Sequence, residues 1–145
     1  MPEKKTIQRA QRDKRQGKSA STQAGEFVRE EMHHIREGKH GAASTKQAIA
    51  IGLSKARRAG VKLAVPRGGS SAVRKQASRD LAKGTQHAKP SPKRSRASTR
   101  ALRGKGTSAA SHAALSRHAK TSARKRTAQP RLQSAKRAAQ TRRRS

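Results

Sequence analysis

The side chains of this sequence that could do chemistry are overwhelmingly cationic. Lysine and arginine occur in short runs, Lys93-Arg94-Ser95-Arg96, Arg124-Lys125-Arg126 and Arg142-Arg143-Arg144. Arg74 and Lys75 form a further pair, and Lys46, Lys55, Arg57 and Arg58 follow one another along a single segment. Each such group can neutralise a phosphate and release condensed counterions, so these residues are the expected nucleic-acid contacts. Phe27 is the one aromatic residue, and there is no Trp or Tyr. Recognition of single strands and of RNA loops relies on aromatic stacking platforms, which this chain lacks. The expected partner is therefore nucleic acid met through its backbone and grooves, with duplex DNA favoured and RNA as the alternative.

The other chemically able residues are sparse. His33, His34 and His40 lie near Glu30 and Glu37, and His33 and Glu37 stand at helical i, i+4 spacing. A metal site needs three or four converging ligands, whereas His40 falls in a connection. The expected role of this group is a helix-end ion pair, with no metal and no cofactor. There is no Cys, which excludes disulfides, thiol catalysis and thiolate-held zinc. No Walker-type phosphate loop and no G-x-S-x-G elbow occurs. Arg103-Gly104-Lys105-Gly106-Thr107 and Arg67-Gly68-Gly69-Ser70 read as flexible joints. Asp13 and Asp80 have no carboxylate neighbour, which argues against a two-metal nuclease. An enzyme is not expected.

Composition sets the frame in which those cations must be held. The formal net charge is +31 over 145 residues. Leu, Ile, Val and Phe together number 15, about a tenth of the chain, and the remaining apolar residues are mostly alanine. So little large apolar surface, with so much like charge, predicts disorder over much of the length. Six of the seven carboxylates lie at or before residue 37, where nine Lys/Arg leave a net +3. Residues 38–145 carry 29 Lys/Arg against Asp80 alone, a net +28. No apolar run reaches the roughly 20 residues of a membrane span, and no secretory pattern follows Met1. A cytoplasmic protein located at the nucleoid, with no membrane partner, is expected.

The large apolar residues cluster between Phe27 and Val65. Within this region Val28, Met32 and Ile35 share a helical face, after a cap at Ser21 or Thr22 and before Gly38. Ser44 and Gln47 make a capping-box pattern ahead of an Ile49, Leu53, Ala56 stripe that Gly60 ends. The fold expected is mainly α: a short two-helix hairpin, helix-turn-helix-like, over residues 21–65. A flexible N-terminal arm (1–20) precedes it, and a long disordered Ala/Lys/Arg-rich tail (66–145) follows. Stretches 71–83, 108–128 and 131–144 of that tail could become helical once phosphate neutralises them. A hairpin of this size is small for independent folding, which makes a homodimer through it an option.

Two resemblances add to this reading. Phe27-Val28-Arg29-Glu30-Glu31-Met32-His33-His34-Ile35-Arg36-Glu37-Gly38-Lys39-His40-Gly41, followed by Lys46-Gln47-Ala48-Ile49-Ala50-Ile51-Gly52-Leu53-Ser54-Lys55-Ala56, resembles an uncharacterised family of small basic bacterial proteins. Members are sometimes labelled DNA-binding or plasmid-stabilisation proteins. The resemblance covers residues 20–65 and implies a bacterial source. The tail is similar in composition to the C-terminal domains of linker histones. Its Ser91-Pro92-Lys93-Arg94 resembles the S-P-basic-basic turns that present cations to a narrow minor groove. Together these point to a histone-like, nucleoid-associated protein that binds DNA without reading sequence. An RNA-binding or ribosome-associated protein, and a plasmid-maintenance interaction module, are the alternatives.

Overall fold

The computed structural model describes residues 1–86, 89–126 and 128–144. It contains seven α-helices among them and falls into two units, residues 1–111 and 112–145. The first unit holds α1 (Lys4–Arg15), α2 (Ala20–Arg36), α3 (Thr45–Arg58), α4 (Ser71–Thr85) and α5 (Pro92–Arg103), then a 3-10 turn at Ser108–Ala110. The second holds α6 (His112–Arg124) and α7 (Ala128–Arg144).

The expected pair of helices is present as α2 and α3, and their ends follow from local chemistry. Ser19, not Ser21 or Thr22, caps α2 by accepting the Thr22 N–H at 3.3 Å. At α3 the Ser44 hydroxyl accepts the Gln47 N–H at 3.1 Å, while Gln47 Oε1 accepts the Ala43 N–H at 2.7 Å. Two otherwise orphan donors are thus satisfied together. Gly38 and Gly60 follow the two helices with φ of +72° and +92°, a left-handed conformation that glycine adopts without side-chain strain. Gly52 lets α3 lie directly on α2, since a Cβ there would come within 2.7 Å of Val28 Cα.

The hairpin is not the whole fold, however, and the rest is not a disordered tail. The N-terminal arm forms α1, which packs on α2. Ile7 and Ala10 join Ala20, Ala24, Phe27, Leu53, Ala56, Val61 and Leu63 in one core. Leu53 and Ala56 of the α3 stripe are therefore covered within the chain, and Ile49 is half-buried. On its other side α4 packs on α3, and the 3-10 turn packs on α2 and α3. Two hydrogen bonds hold that turn: Arg36 Nε donates to the Ala110 carbonyl at 2.8 Å and Thr45 Oγ1 to the Ala109 carbonyl at 2.6 Å.

The physical reason for the correction is alanine. Eight of the twelve buried apolar residues among those described are Ala: Ala10, Ala24, Ala42, Ala48, Ala56, Ala77, Ala109 and Ala110. Counting only large side chains misses a core in which helices approach closely over methyl groups. Phe27 and Ile35 supply the largest apolar burial, roughly 1.5–3 kcal/mol each. Alanine also has the highest helix propensity. The stretches 71–83 and 131–144 are accordingly helical in α4 and α7, and 108–128 contains the 3-10 turn and α6; Thr127 lies outside the described residues. Helices α5, α6 and α7 contain no buried residue.

Candidate nucleic-acid interface

Where the cations point depends first on where the carboxylates are. Each of the seven carboxylates faces a Lys, Arg or His side chain at 2.5–3.9 Å. Asp13 accepts from Lys18 at 2.9 Å, tying the end of α1 to the connection that leads into α2. Glu30, on α2, accepts from the Glu3 N–H through both oxygens at 3.2 Å, which fixes the start of α1. Arg9 and Glu26 join the same two helices at 3.8 Å, an ion pair too long for a hydrogen bond. Glu37 pairs with Lys39 at 2.9 Å on the surface, and this hydrogen bond holds its carboxyl below the usual range and raises the lysine.

Asp80 is the most fully used of the seven. It is 1% exposed, in the middle of α4. Ser54 donates to its Oδ2 at 2.6 Å, and Arg58 Nε and Gln76 Nε2 donate to Oδ1 at 2.7 and 3.0 Å. Burial alone pushes its carboxyl up, but the three hydrogen bonds together with the Arg58 charge outweigh that and hold it below its ordinary value.

This pairing removes most of the predicted contacts on α3. Arg58 is committed to Asp80. Arg57 is buried and donates to the carbonyls of Leu63 and Ala64 at 3.2 Å each, holding the segment after α3 against the helix. Lys55 reaches the buried carboxylate of Glu31. Of the four α3 cations that the sequence singles out, Lys46 and Arg58 are exposed, and Arg58 spends its Nε–H on Asp80. Lys55, Arg57 and Arg58 are structural cations of the fold.

The remaining predicted cations are all exposed: Arg74 and Lys75 on α4, Lys93, Arg94 and Arg96 on α5, Arg124, Lys125 and Arg126 at the end of α6, and Arg142, Arg143 and Arg144 on α7. Helix formation arranges them in a way that their order along the chain does not show. Lys93, Arg96, Arg100 and Arg103 fall at i, i+3, i+7 and i+10, one stripe about 15 Å long on α5. Arg117, Lys120 and Arg124 form a similar stripe on α6. Ser91-Pro92-Lys93-Arg94 is not a free turn: Pro92 opens α5, where its missing N–H costs nothing. Arg126 is partly used locally, donating to the Pro130 carbonyl and to Ser134 Oγ at 3.3 and 2.6 Å.

Sequence reasoning also misses cations. Lys5, Arg9, Arg12 and Arg15 line a shallow groove on α1, in a stretch expected to be a flexible arm. Their i, i+4, i+7, i+10 spacing is the signal that could have found them. The histidines are placed differently from expectation as well. His33 is exposed, whereas His34 and His40 converge with Glu31.

No helix among the described residues is long and apolar enough to cross a membrane. Residues 14–67 match the model of a family of unknown function (DUF6496). The matched stretch runs from the end of α1 through α2 and α3 to the segment that Arg57 holds. No curated protein and no solved structure matches the chain.

Proposed function

We propose that the protein binds nucleic acid, duplex DNA in particular, by neutralising its phosphate backbone without reading sequence, in the manner of a bacterial nucleoid-associated protein. One observation carries this reading. After Asp80 the chain has 19 Lys/Arg and no carboxylate side chain, and α5, α6 and α7, which present most of them, bury nothing. A basic helix with neither a buried face nor an acidic side chain of its own is supported best by an external polyanion. The carboxylates, by contrast, are spent inside the first unit, so they do not repel a phosphate backbone from the exposed stripes. The lack of Trp and Tyr favours backbone contact over base stacking.

The test is binding of the full chain to random-sequence duplex DNA across a salt series, with duplex RNA as competitor. Changing Lys93, Arg96, Arg100 and Arg103 together to Gln should lower the steepness of log K against log salt by about 3 to 4, since each phosphate left unneutralised removes about 0.9. An unchanged slope refutes backbone neutralisation by this stripe. Preferential binding of RNA redirects the proposal to an RNA partner.

A further inference from the structure

We propose that Glu31, His34 and His40 form a binding site for one divalent transition-metal ion of the zinc class. The three residues each offer a ligand atom within 4.8 Å of the others. Glu31 and His34 lie at i, i+3 on α2, and His40 is in the connection to α3, brought back by the turn at Gly38. The side chain of Glu31 is 1% exposed and those of His34 and His40 are 13% and 11% exposed. The cluster is thus largely shielded from water, where a solvated ion pair would not need to be.

The hydrogen bonds around the two imidazoles resemble those of an outer ligand shell. His40 Nδ1 lies 3.1 Å from the Gly41 carbonyl, to which it can only donate. Its Nε2 then presents a lone pair 2.6 Å from Glu31 Oε1. Two electron-rich atoms at that separation need a cation between or beside them. His34 Nε2 lies 3.0 Å from Glu3 Oε1 and donates to it, which leaves Nδ1 as its ligand nitrogen. Metal-bound histidines characteristically hand their second N–H to a carbonyl or a carboxylate in this way.

Glu31 supplies the independent observation. It is fully buried, yet neither of its oxygens makes an aligned hydrogen bond. His40 Nε2 and Lys55 Nζ are close enough to be ion-pair partners, at 2.6 and 2.5 Å, but they lie off the hydrogen-bonding directions. A buried carboxylate served by charge but not by hydrogen bonds is an incompletely satisfied group, and a coordinated cation would complete it. Two imidazole nitrogens and one carboxylate suit zinc, cobalt or nickel rather than magnesium or calcium. Bonds of about 2.0–2.2 Å put ligand atoms roughly 3.4 Å apart, so the His40–Glu31 pair at 2.6 Å opens by about 0.8 Å and any separation near the 4.8 Å limit closes by about 1.4 Å, within the reach of rotamer adjustment. Water takes the fourth position. The ion would tie α2 to its connection with α3 and, through Glu3, to the start of α1.

A proton on His40 Nε2 satisfies the same pair, and Lys55 is a competing cation, so the experiment must separate a metal site from a protein-only network. The untagged full chain, freed of metal, is titrated with Co2+ while visible absorption is followed, and with Zn2+ by calorimetry. One saturable site with a tetrahedral cobalt spectrum is expected, lost in His34→Gln and in His40→Gln and kept in His33→Gln. Lys55→Met should raise Zn2+ affinity about tenfold or more by removing the adjacent charge, an effect that a purely structural lysine does not produce. Because the histidine variants could fold poorly, the unaltered chain is also treated with a histidine acylating reagent. Zn2+ should protect His34 and His40 but not His33. No saturable binding, or binding and protection indifferent to His34 and His40, overturns the proposal.

Discussion

Replacing Asp80 by Ala should detach α4 from α3, and the size of the effect can be worked from its surroundings. The carboxylate is buried and accepts three hydrogen bonds, from Ser54, Arg58 and Gln76. Hydrogen bonds to a charged group contribute about 1.5–3 kcal/mol each in buried settings. Compensation is substantial, because the Arg58 side chain is 42% exposed and Gln76 is also exposed, so both regain water once released. Ser54 is less free to do so. The net loss should be about 2–4 kcal/mol, below the roughly 3–5 kcal/mol of breaking a fully buried pair. Asp80→Asn, which keeps the shape and one accepting oxygen, should cost about half as much. Urea denaturation followed by circular dichroism gives the total, and amide hydrogen exchange locates it. Residues 71–85 should lose protection while α2 keeps its own.

The pH dependence follows from the sign of the shift. Asp80 is held below its ordinary value of 3.8 in the folded protein. Its contribution is therefore complete above the unfolded value and disappears as the pH falls through the lower, folded one. The gap between the parent chain and Asp80→Ala should be constant near neutrality and close only in strong acid. A loss under about 1 kcal/mol with α4 protection unchanged would refute the assignment of Asp80 as the tie between these helices.

Further outcomes follow from the same packing. Gly84→Ala drives a Cβ into the Arg57 carbonyl oxygen, a collision with backbone that should cost about 3 kcal/mol or more in thermal or urea unfolding. Gly52→Ala meets the α2 backbone at 2.7 Å and should cost about 1–3 kcal/mol by the same assay. Arg57→Lys loses the fork that reaches two carbonyls; stability should fall by about 1–3 kcal/mol. DNA affinity measured under conditions where the variant is folded should stay unchanged.

Much of the hairpin is legible from local chemistry. Ser44 and Gln47 at capping-box spacing, the Ile49, Leu53, Ala56 stripe, and the glycines at 38 and 60 act within a few residues of themselves. Caps, periodicity and left-handed glycines need no distant partner, so they survive the step from chain to fold. The excess of positive charge and the lack of carboxylates after Asp80 are likewise properties of the sequence alone.

Other signals in the sequence are weaker than their structural consequences. An alanine-rich stretch does not look like core, because each methyl buries little. Eight alanines nonetheless lie in the interior, where close approach of helix backbones makes up for small side chains. The single acidic residue in a long basic stretch, Asp80, marks an internal ion pair, and Ser54 with Arg58 at i, i+4 is the complementary pattern on α3.

What tertiary structure alone decided is the fate of individual charges. Lys55, Arg57 and Arg58 look as available in the sequence as Lys93 or Arg96. They differ because Glu31, the carbonyls of Leu63 and Ala64, and Asp80 meet them in space. The same holds for His34 and His40, which a turn brings to Glu31 while His33, one residue away, faces solvent. Charge is fixed by composition, but whether a charge is outward and free depends on long-range partners. Those partners meet the cations only once α3 has packed on α2, the segment after α3 has folded back along it, and α4 has docked.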